Sequence, residues 1–272
     1  MSSHPPPQSI HHEMRNAENS AAYLLPRLLA MKETNPHLTI LDVGAGSGSI
    51  SASFAKAIPE GRVTATDKNK DILLRAAAVA ELAGVSNIDF QEADVFALPF
   101  PDATFDVTHC HQVLVHLKAP VDALREMLRV TKPGGIVAAR EGDYDTECVW
   151  PSTPALVKFH EFAAGCINKL AGGSTNGGRQ LLSWALQAGA EQSQVTASFG
   201  TWCYSTQADK QGWTEGLVNT IRNKESALRK GGLATGMTTE EDLEEMAKGW
   251  EEWNRTDGAT LGMLHGEVII QK

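Results

Sequence analysis

The segment from residue 39 to residue 58 most constrains the fold of this chain. A short apolar run, 39–43, is followed by three alternating glycines at positions 44, 46 and 48, and a helical pattern covers 50–58. Glycine adopts backbone angles closed to other residues, so such a turn brings the main chain close to a ligand and directs the free N–H groups of a helix toward it. The segment predicts a buried strand, a ligand-binding turn and a helix; a tight turn without a ligand is the alternative.

Strand and helix patterns alternate along the chain on either side of this turn. Helical patterns at 72–83 and 121–130 separate short apolar runs, an arrangement typical of a parallel sheet wound by helices on both faces. The prediction is a Rossmann-like α/β fold with a seven-stranded, mostly parallel sheet. The predicted strands are 39–43, 62–66, 88–91, 105–110, 136–139, 194–204 and 266–270.

The chain is predicted to form one domain. Residues 1–9, rich in serine and proline, are expected to be a flexible tail, and residues 10–272 the domain itself. Residues from about 205 to 262 form a mainly helical pattern between the last two strands, which predicts an insertion carried by the sheet.

Composition narrows the possible partners. The net charge is −9, whereas a phosphate backbone requires clustered Lys and Arg, so no nucleic-acid partner is expected. The four cysteines are widely spread and form neither a zinc motif nor a disulfide framework. No apolar run is long enough to span a membrane, and the N-terminus lacks a hydrophobic signal core. We therefore expect a soluble, cytoplasmic protein; the oligomeric state stays open.

Two aspartates restrict the ligand at the glycine turn. The third glycine, Gly48, comes one residue too early for the dinucleotide fingerprint, which disfavours an NAD-dependent dehydrogenase. Asp42, two residues ahead of Gly44, suits an ammonium group better than a pyrophosphate, although it could equally serve as a partner for a helix or turn. Asp67, at the end of the second strand, is placed to accept hydrogen bonds from a ribose diol, or else to cap the next helix.

A third acidic segment, 92–95, follows the third predicted strand. Asp94 there could accept a hydrogen bond from an exocyclic adenine amine, and Val95 offers an apolar wall for the ring. A loop aspartate that caps a turn is the alternative. Read together with the glycine turn and Asp67, the segment indicates an adenosine-containing ligand.

These stretches occur in the order seen in class I S-adenosylmethionine-dependent methyltransferases, and the chain most resembles the group related to the ubiquinone and menaquinone C-methyltransferases. The resemblance covers roughly residues 10–142. It is specific for fold and cofactor, and uninformative about the substrate. The stretches that carry it are Asp42–Gly48, Asp67, Ala93–Asp94, Phe105–Val107, Val113–Leu117 and Leu128–Gly135.

The resemblance implies a position for each part of S-adenosylmethionine. Residues 10–36 would form lid helices over the cofactor, and Arg15 would pair with its methionine carboxylate. The methyl donor would leave as S-adenosylhomocysteine. The residues implied to bind the methionine end and the region of the methyl group are Gly44, Ala45, Gly46, Cys110 and His111; those implied to bind ribose and adenine are Asp67, Lys68, Ala93, Asp94 and Val95.

Three histidines cluster near the end of the fourth predicted strand. His111 is a candidate general base for an acceptor hydroxyl or thiol, and a structural role is the alternative. His109 and His111 alternate on one strand face, but no third ligand follows at a suitable spacing, so no metal is expected. His116 completes the cluster.

The sequence as a whole predicts methyl transfer to a small-molecule acceptor through an oxygen, sulfur or carbon nucleophile. The displacement is in line, and the protein contributes chiefly proximity and orientation. The insertion at 205–262 would form part of the acceptor pocket. Two alternatives stay open: a protein or RNA methyltransferase, which would require a basic groove, and a regulatory module that binds the cofactor without catalysis.

Overall fold

A computed structural model describes residues 13–272 of the chain. The eight strands of this part are β1 Thr39–Val43, β2 Arg62–Asp67, β3 Ile88–Glu92, β4 Phe105–His111, β5 Thr131–Gly142, β6 Cys148–Trp150, β7 Val195–Tyr204 and β8 Thr260–Gln271. The α-helices are α1 Ala17–Ser20, α2 Leu25–Thr34, α3 Ser49–Ala57, α4 Lys70–Leu82, α5 Pro120–Val130, α6 Pro154–Gly165, α7 Gly177–Gln187, α8 Gln207–Arg222, α9 Ala227–Ala234 and α10 Glu240–Arg255. Short 3₁₀ turns cover Leu114–His116, Tyr144–Thr146 and Gln192–Gln194, and a π-helix covers Cys166–Ala171.

The strands form one mixed sheet, with the order β3-β2-β1-β4-β5-β8-β6 and β7 paired to β8. Strands β1 to β5 are parallel, and β8 runs antiparallel to β5, β6 and β7. This architecture confirms the predicted Rossmann-like α/β fold. The short strand β6 was not predicted, because three residues carry too little pattern to be separated from a loop.

Strand β5 is longer than predicted because its first residue, Thr131, pairs with Phe105 ahead of a register shift. The pairing resumes at Ile136 opposite Val107, so residues 132–135 bulge out of the ladder. Gly134 within this bulge has φ +77°. The sequence Lys-Pro-Gly-Gly at 132–135 is typical of a loop, so the predicted strand began after it, at residue 136. In the structure the strand continues on both sides of these residues, which form a bulge.

Three apolar clusters hold the fold together. One lies between the sheet and α5 and α7, with Leu124 and Met127 fully buried; a second lies on the other face, against α1, α2 and α3. The third lies among α6, α8 and α10, where Trp250 and Trp253 are each 1% exposed. The tryptophans of α10 thus belong to a core, in keeping with the helical spacing of Leu243, Met246, Trp250 and Trp253 on one face.

Residues 10–36 were predicted to form lid helices over the cofactor. The side chains of Ala17 and Ala21, together with Leu24 and Leu28, are buried in the cluster against α3. The helices α1 and α2 are therefore integral to the core, and among residues 13–36 only Arg15 lines the cavities of the candidate site. The predicted tail, 1–9, lies outside the described residues.

Residues between β7 and β8 contain the helices α8, α9 and α10, at the position where the sequence predicted a helical insertion. These helices pack against α6 in the third apolar cluster. Among residues 13–272, no helix combines the length and the apolar character needed to cross a lipid bilayer. The division into lid, core and insertion stays a prediction.

Candidate active site

Two adjoining cavities lie at the carboxyl ends of the parallel strands, where open α/β sheets bind ligands. The inner cavity has a volume of about 230 Å³ and lies against the glycine turn after β1. The outer cavity, of about 240 Å³, lies against the ends of β2 and β3. Gly44, Asp67, Gln112 and His116 line both cavities, so the two form one continuous groove.

The glycine turn is shaped by close packing on one side and open space on the other. Gly44 has φ +67°, and a Cβ atom there would lie 2.5 Å from Cγ2 of Val113. Gly46 has φ +55°, and a Cβ atom there would meet no atom within 4 Å. The turn therefore needs glycine for backbone reasons, and at Gly46 it leaves the main chain open to the inner cavity.

Asp67 ties the end of β2 to this turn. One carboxylate oxygen accepts the Gly46 N–H at 3.1 Å, and the other accepts the Asn69 N–H at 2.9 Å. The side chain is partly buried and lines both cavities. Each oxygen retains lone pairs that a ligand hydroxyl could reach.

The predicted adenine residues meet in the outer cavity. Ala93, Asp94 and Val95 line it together with Lys68, and the Asp94 carboxylate accepts the Phe96 N–H at 2.9 Å. The structure thus brings these four residues together beside Asp67. The Asp94 side chain is exposed, and through its bond to Phe96 it also caps the turn, which was the alternative role considered from the sequence.

Asp42 lines the inner cavity but is engaged inside the protein. Its carboxylate, 2% exposed, binds Nδ1 of His109 at 2.8 Å through one oxygen and accepts the Ser51 hydroxyl through the other. Ser51 belongs to α3, so this network joins β1, β4 and the helix after the glycine turn. The helix partner foreseen from the sequence is present, and direct contact with a ligand stays a prediction.

Cys110, predicted to lie near the methyl group, has its side chain in the apolar core. It is fully buried, its Sγ lies 3.9 Å from Oε1 of Glu141, and burial raises the pKa of its thiol well above the ordinary value. The side chain is not among those that line the cavities described here.

His111 lines the inner cavity. Its imidazole is 7% exposed, and neither ring nitrogen has a hydrogen-bond partner in the protein. Burial, together with the guanidinium groups of Arg15 and Arg140, lowers the pKa of His111 well below its ordinary value. The ring is therefore neutral at pH 7, which weakens it as a proton acceptor and leaves two unpaired polar atoms for a ligand.

Arg15 stands where the inner cavity meets a much larger one. Its guanidinium carbon lies 4.7 Å from the centre of the Trp202 ring, and its buried Nε has no hydrogen-bond partner. Burial lowers the pKa of Arg15, although the group stays charged. The unpaired Nε–H at this junction can donate to a carboxylate.

The turn after β4 carries two residues that line the inner, outer and large cavities. Gln112 has φ +57°, which is rare for a residue other than glycine, and its buried Nε2 has no partner. His116 follows on the 3₁₀ turn Leu114–His116 and is exposed to the cavities. Removal of its imidazole from bulk water, together with the charge of Arg15, lowers the pKa of His116. Sequence reasoning noted His116 only within a histidine cluster and missed Gln112 entirely.

A large cavity of about 510 Å³ adjoins the groove. It lies between the sheet, α6, the π-helix and the helices α8 and α9, and its walls are mainly apolar. The residues that line it include Arg15, Gln112, His116, Tyr144, Glu147, Phe159, His160, Ala163, Ile167, Trp202, Trp213, Leu217, Leu228 and Met263. Among the described residues, no group of three His, Cys, Asp or Glu side chains is arranged to hold a metal ion.

A sheet of this topology, with a glycine turn after β1 and with Asp67 and Glu92 at the ends of β2 and β3, has the Rossmann-like architecture that commonly binds nucleotide cofactors. Comparison with known proteins identifies the family within this class. A model of the methyltransferase domain matches residues 34–212. An uncharacterised methyltransferase of Schizosaccharomyces pombe is 31% identical over 96% of this chain and 92% of its own length. The chain therefore belongs to the S-adenosylmethionine-dependent methyltransferases, which confirms the predicted family, enzyme class and cofactor.

Two further proteins are similar to this chain, one in sequence and one in fold. A ubiquinone/menaquinone biosynthesis C-methyltransferase of Ectopseudomonas mendocina is 32% identical over 53% of this chain and 55% of its own length. The solved structure of phosphoethanolamine N-methyltransferase 2 of Haemonchus contortus, in complex with phosphomonomethylethanolamine and S-adenosylhomocysteine, shares the fold. Its TM-score is 0.51 at 16% identity, over 90% of this chain and 52% of that one.

The residues of the groove fit S-adenosylmethionine chemically. Unpaired buried polar atoms on Arg15 and His111 suit the charged amino-acid end, and the open main chain at Gly46 allows close approach. The carboxylate of Asp67 lies between this region and the outer cavity, as a ribose between methionine and adenine requires. When bound, the cofactor supplies an electrophilic methyl group on a sulfonium that leaves as a neutral thioether.

Proposed function

We propose that the enzyme methylates a small-molecule acceptor held in the large cavity, through an oxygen, sulfur or carbon nucleophile. The observation that carries the proposal is the continuity of the cavities: Arg15, Gln112 and His116 line both the large cavity and the inner one. An acceptor bound among the apolar walls thus meets the cofactor groove at these three side chains. A cavity of this kind favours a small molecule over a protein or RNA.

The placement of the cofactor is part of the same proposal. Arg15 pairs with the methionine carboxylate, and Gly44, Ala45 and Gly46 line the methionine chain. Asp67 accepts hydrogen bonds from the ribose hydroxyls. The adenine lies in the outer cavity, with Asp94 at its amine and Val95 against its ring.

The chain's own residues then act by holding and orienting. Aromatic and aliphatic walls exclude water from the acceptor, and a fixed approach of the nucleophile to the methyl group is worth up to about 7–11 kcal/mol in model reactions. Gln112 offers a donor at the junction. His116 lines the large cavity and His111 does not, so His116 is the better-placed proton acceptor of these two for a hydroxyl or thiol.

Calorimetric titration with S-adenosylmethionine, S-adenosylhomocysteine and NAD tests the cofactor placement. We expect micromolar binding of the first two and none of NAD. Binding of NAD alone, or of none of the three, would exclude the placement.

A cavity-filling variant tests the acceptor site. Ala163→Trp on α6 should abolish methyl transfer to any accepted small molecule, detected as S-adenosylhomocysteine release, while the affinity for S-adenosylhomocysteine stays unchanged. Val157→Trp, on the exposed side of the same helix (46% exposed), is the matched control and should retain activity. Equal activity of the two variants would contradict binding of the acceptor in this cavity.

A further inference from the structure

An ion pair interrupts the apolar wall of the large cavity. His160, on α6, binds Oε1 of Glu147 through its Nδ1 at 3.2 Å. Both side chains line the large cavity, and neither lines the inner or the outer cavity. The pair therefore lies on the part of the wall that the cofactor groove does not share.

The geometry fixes the hydrogen-bonding role of His160. An ionised carboxylate only accepts, so Nδ1 is the donor to Glu147 and Nε2 is left for another partner. The Glu147 side chain is 11% exposed and that of His160 is 35% exposed. Glu147 is therefore the more buried partner, and His160 is the more accessible one on the cavity wall. The carboxylates that face the ring are Glu147, Asp145 and Glu161, and the hydrogen bond to Glu147 is the main cause of a raised pKa at His160.

A protonated His160 presents an N–H donor on a part of the wall that is mainly apolar. Phe159, Ala163, Ile167 and Leu217 line the same cavity, with Trp213. A donor in such a setting discriminates strongly in favour of ligands that carry an acceptor oxygen, because an unmatched polar group costs free energy when it is buried. Planar rings pack well against the aromatic walls that Phe159 and Trp213 provide.

We infer that the Glu147–His160 pair binds a carbonyl oxygen of the acceptor, so that the acceptor is a hydroxyaromatic ketone or carboxylic acid. The inference rests on the proposed function and adds the substrate class to it. The aromatic body lies among the apolar walls, the carbonyl oxygen accepts from Nε2 of His160, and the nucleophile is at the end that meets Gln112 and His116. His160 is thus a specificity-determining residue that takes no part in the transfer itself.

Three naphthols test the inference: 6-acetyl-2-naphthol, 6-hydroxy-2-naphthoic acid and 6-ethyl-2-naphthol. Each is titrated calorimetrically into the enzyme saturated with S-adenosylhomocysteine. We expect the ketone or the acid, or both, to bind about tenfold more tightly than the ethyl compound, which is the discrimination of one charged hydrogen bond. Which of the two binds more tightly identifies the source of the carbonyl oxygen.

Variants isolate the pair. His160→Phe should bring the three affinities within about twofold of one another, whereas His160→Gln, which retains an N–H donor, should keep part of the preference. His37→Phe, at an exposed histidine bound to the Glu60 carbonyl, is the control and should behave as the parent protein. In the parent protein the preference should also fade as the pH rises above the raised pKa of His160, because the neutral ring loses its second donor.

The outcomes separate this inference from the proposed function. Failure of S-adenosylhomocysteine to bind would overturn the proposed function. Normal binding of S-adenosylhomocysteine with no binding of any naphthol, with no preference in the parent protein, or with an undiminished preference in His160→Phe would overturn the inference alone.

Discussion

The buried carboxylate of Glu141 accepts the backbone N–H of Leu114 at 2.9 Å. The same oxygen accepts the Val113 N–H at 3.0 Å, and the second oxygen accepts the Val115 N–H at 3.3 Å. Glu141 therefore holds the start of the 3₁₀ turn that ends in His116. Burial nevertheless outweighs these hydrogen bonds and raises the pKa of Glu141 to about 7.

Glu141 should make stability depend on pH in a defined direction. Its pKa lies above the ordinary value of 4.5, so the folded state retains a proton that the unfolded state has lost between these two values. The free energy of unfolding should therefore fall by up to about 3 kcal/mol as the pH rises from 4.5 to 7. Glu141→Gln should flatten this slope in urea denaturation curves, and the exposed Glu252→Gln should not. An unchanged slope in Glu141→Gln would contradict the assignment.

Asp67→Ala should weaken S-adenosylmethionine binding about a hundredfold, because in the proposed cofactor placement it removes two charged hydrogen bonds to the ribose. Asp67→Asn, which keeps one acceptor oxygen, should lose less. Asp71→Ala, at an exposed carboxylate in the first turn of α4, is the matched control. Calorimetry measures all three, and an unaltered affinity in Asp67→Ala would remove the ribose assignment.

The hydrogen bonds around Asp42 should contribute more to the stability of the fold than to cofactor affinity. Ser51→Ala removes one buried donor and should lower the free energy of unfolding by about 1–2 kcal/mol, with the cofactor affinity within threefold of the parent protein. Asp42→Asn should lower stability further, since it also disturbs His109. If Asp42→Asn instead bound S-adenosylmethionine poorly at full stability, the carboxylate would act mainly on the cofactor.

Substitutions of His116 and of His111 should have different effects on turnover and on cofactor binding. With an oxygen acceptor, His116→Phe should lower turnover about a hundredfold and leave S-adenosylhomocysteine affinity nearly unchanged, the effect of losing a general base. His111→Phe should chiefly weaken cofactor binding. Since a base acts only when it is neutral and the pKa of His116 is lowered from 6.5, the rate should stay level down to pH values below 6.5. A rate that already falls above pH 6.5 would argue against His116.

The sequence predicted well which residues meet around the glycine turn, because their signals are local; that they bind the cofactor stays a prediction. The span of β1 agrees residue for residue, and Gly44 and Gly46 follow it as the turn requires. Asp67 ends β2 in register with Glu92 at the end of β3. Parallel strands bring their carboxyl ends to one edge, so the order along the chain was enough to place these residues together.

The acceptor side could not be predicted in the same way. Gln112 adopts a left-handed conformation that glycine would have signalled and glutamine does not. This conformation follows directly after β4, so counting along the strand favoured His111 and overlooked His116. His160 on α6 and Glu147 ahead of β6 are 13 residues apart, and no local pattern encodes their contact.

The position of β8 between β5 and β7 has a consequence for biosynthesis. Strands β1 to β5 can pair as they leave the ribosome, but among the described strands β6 and β7 pair only with β8. The residues that line the inner and outer cavities are thus made before β8, whereas Trp202 and Met263, which line the large cavity, pair only once residues 260–271 are present. A nascent chain would gain the ability to bind its methyl donor before it has a place for the molecule to be methylated.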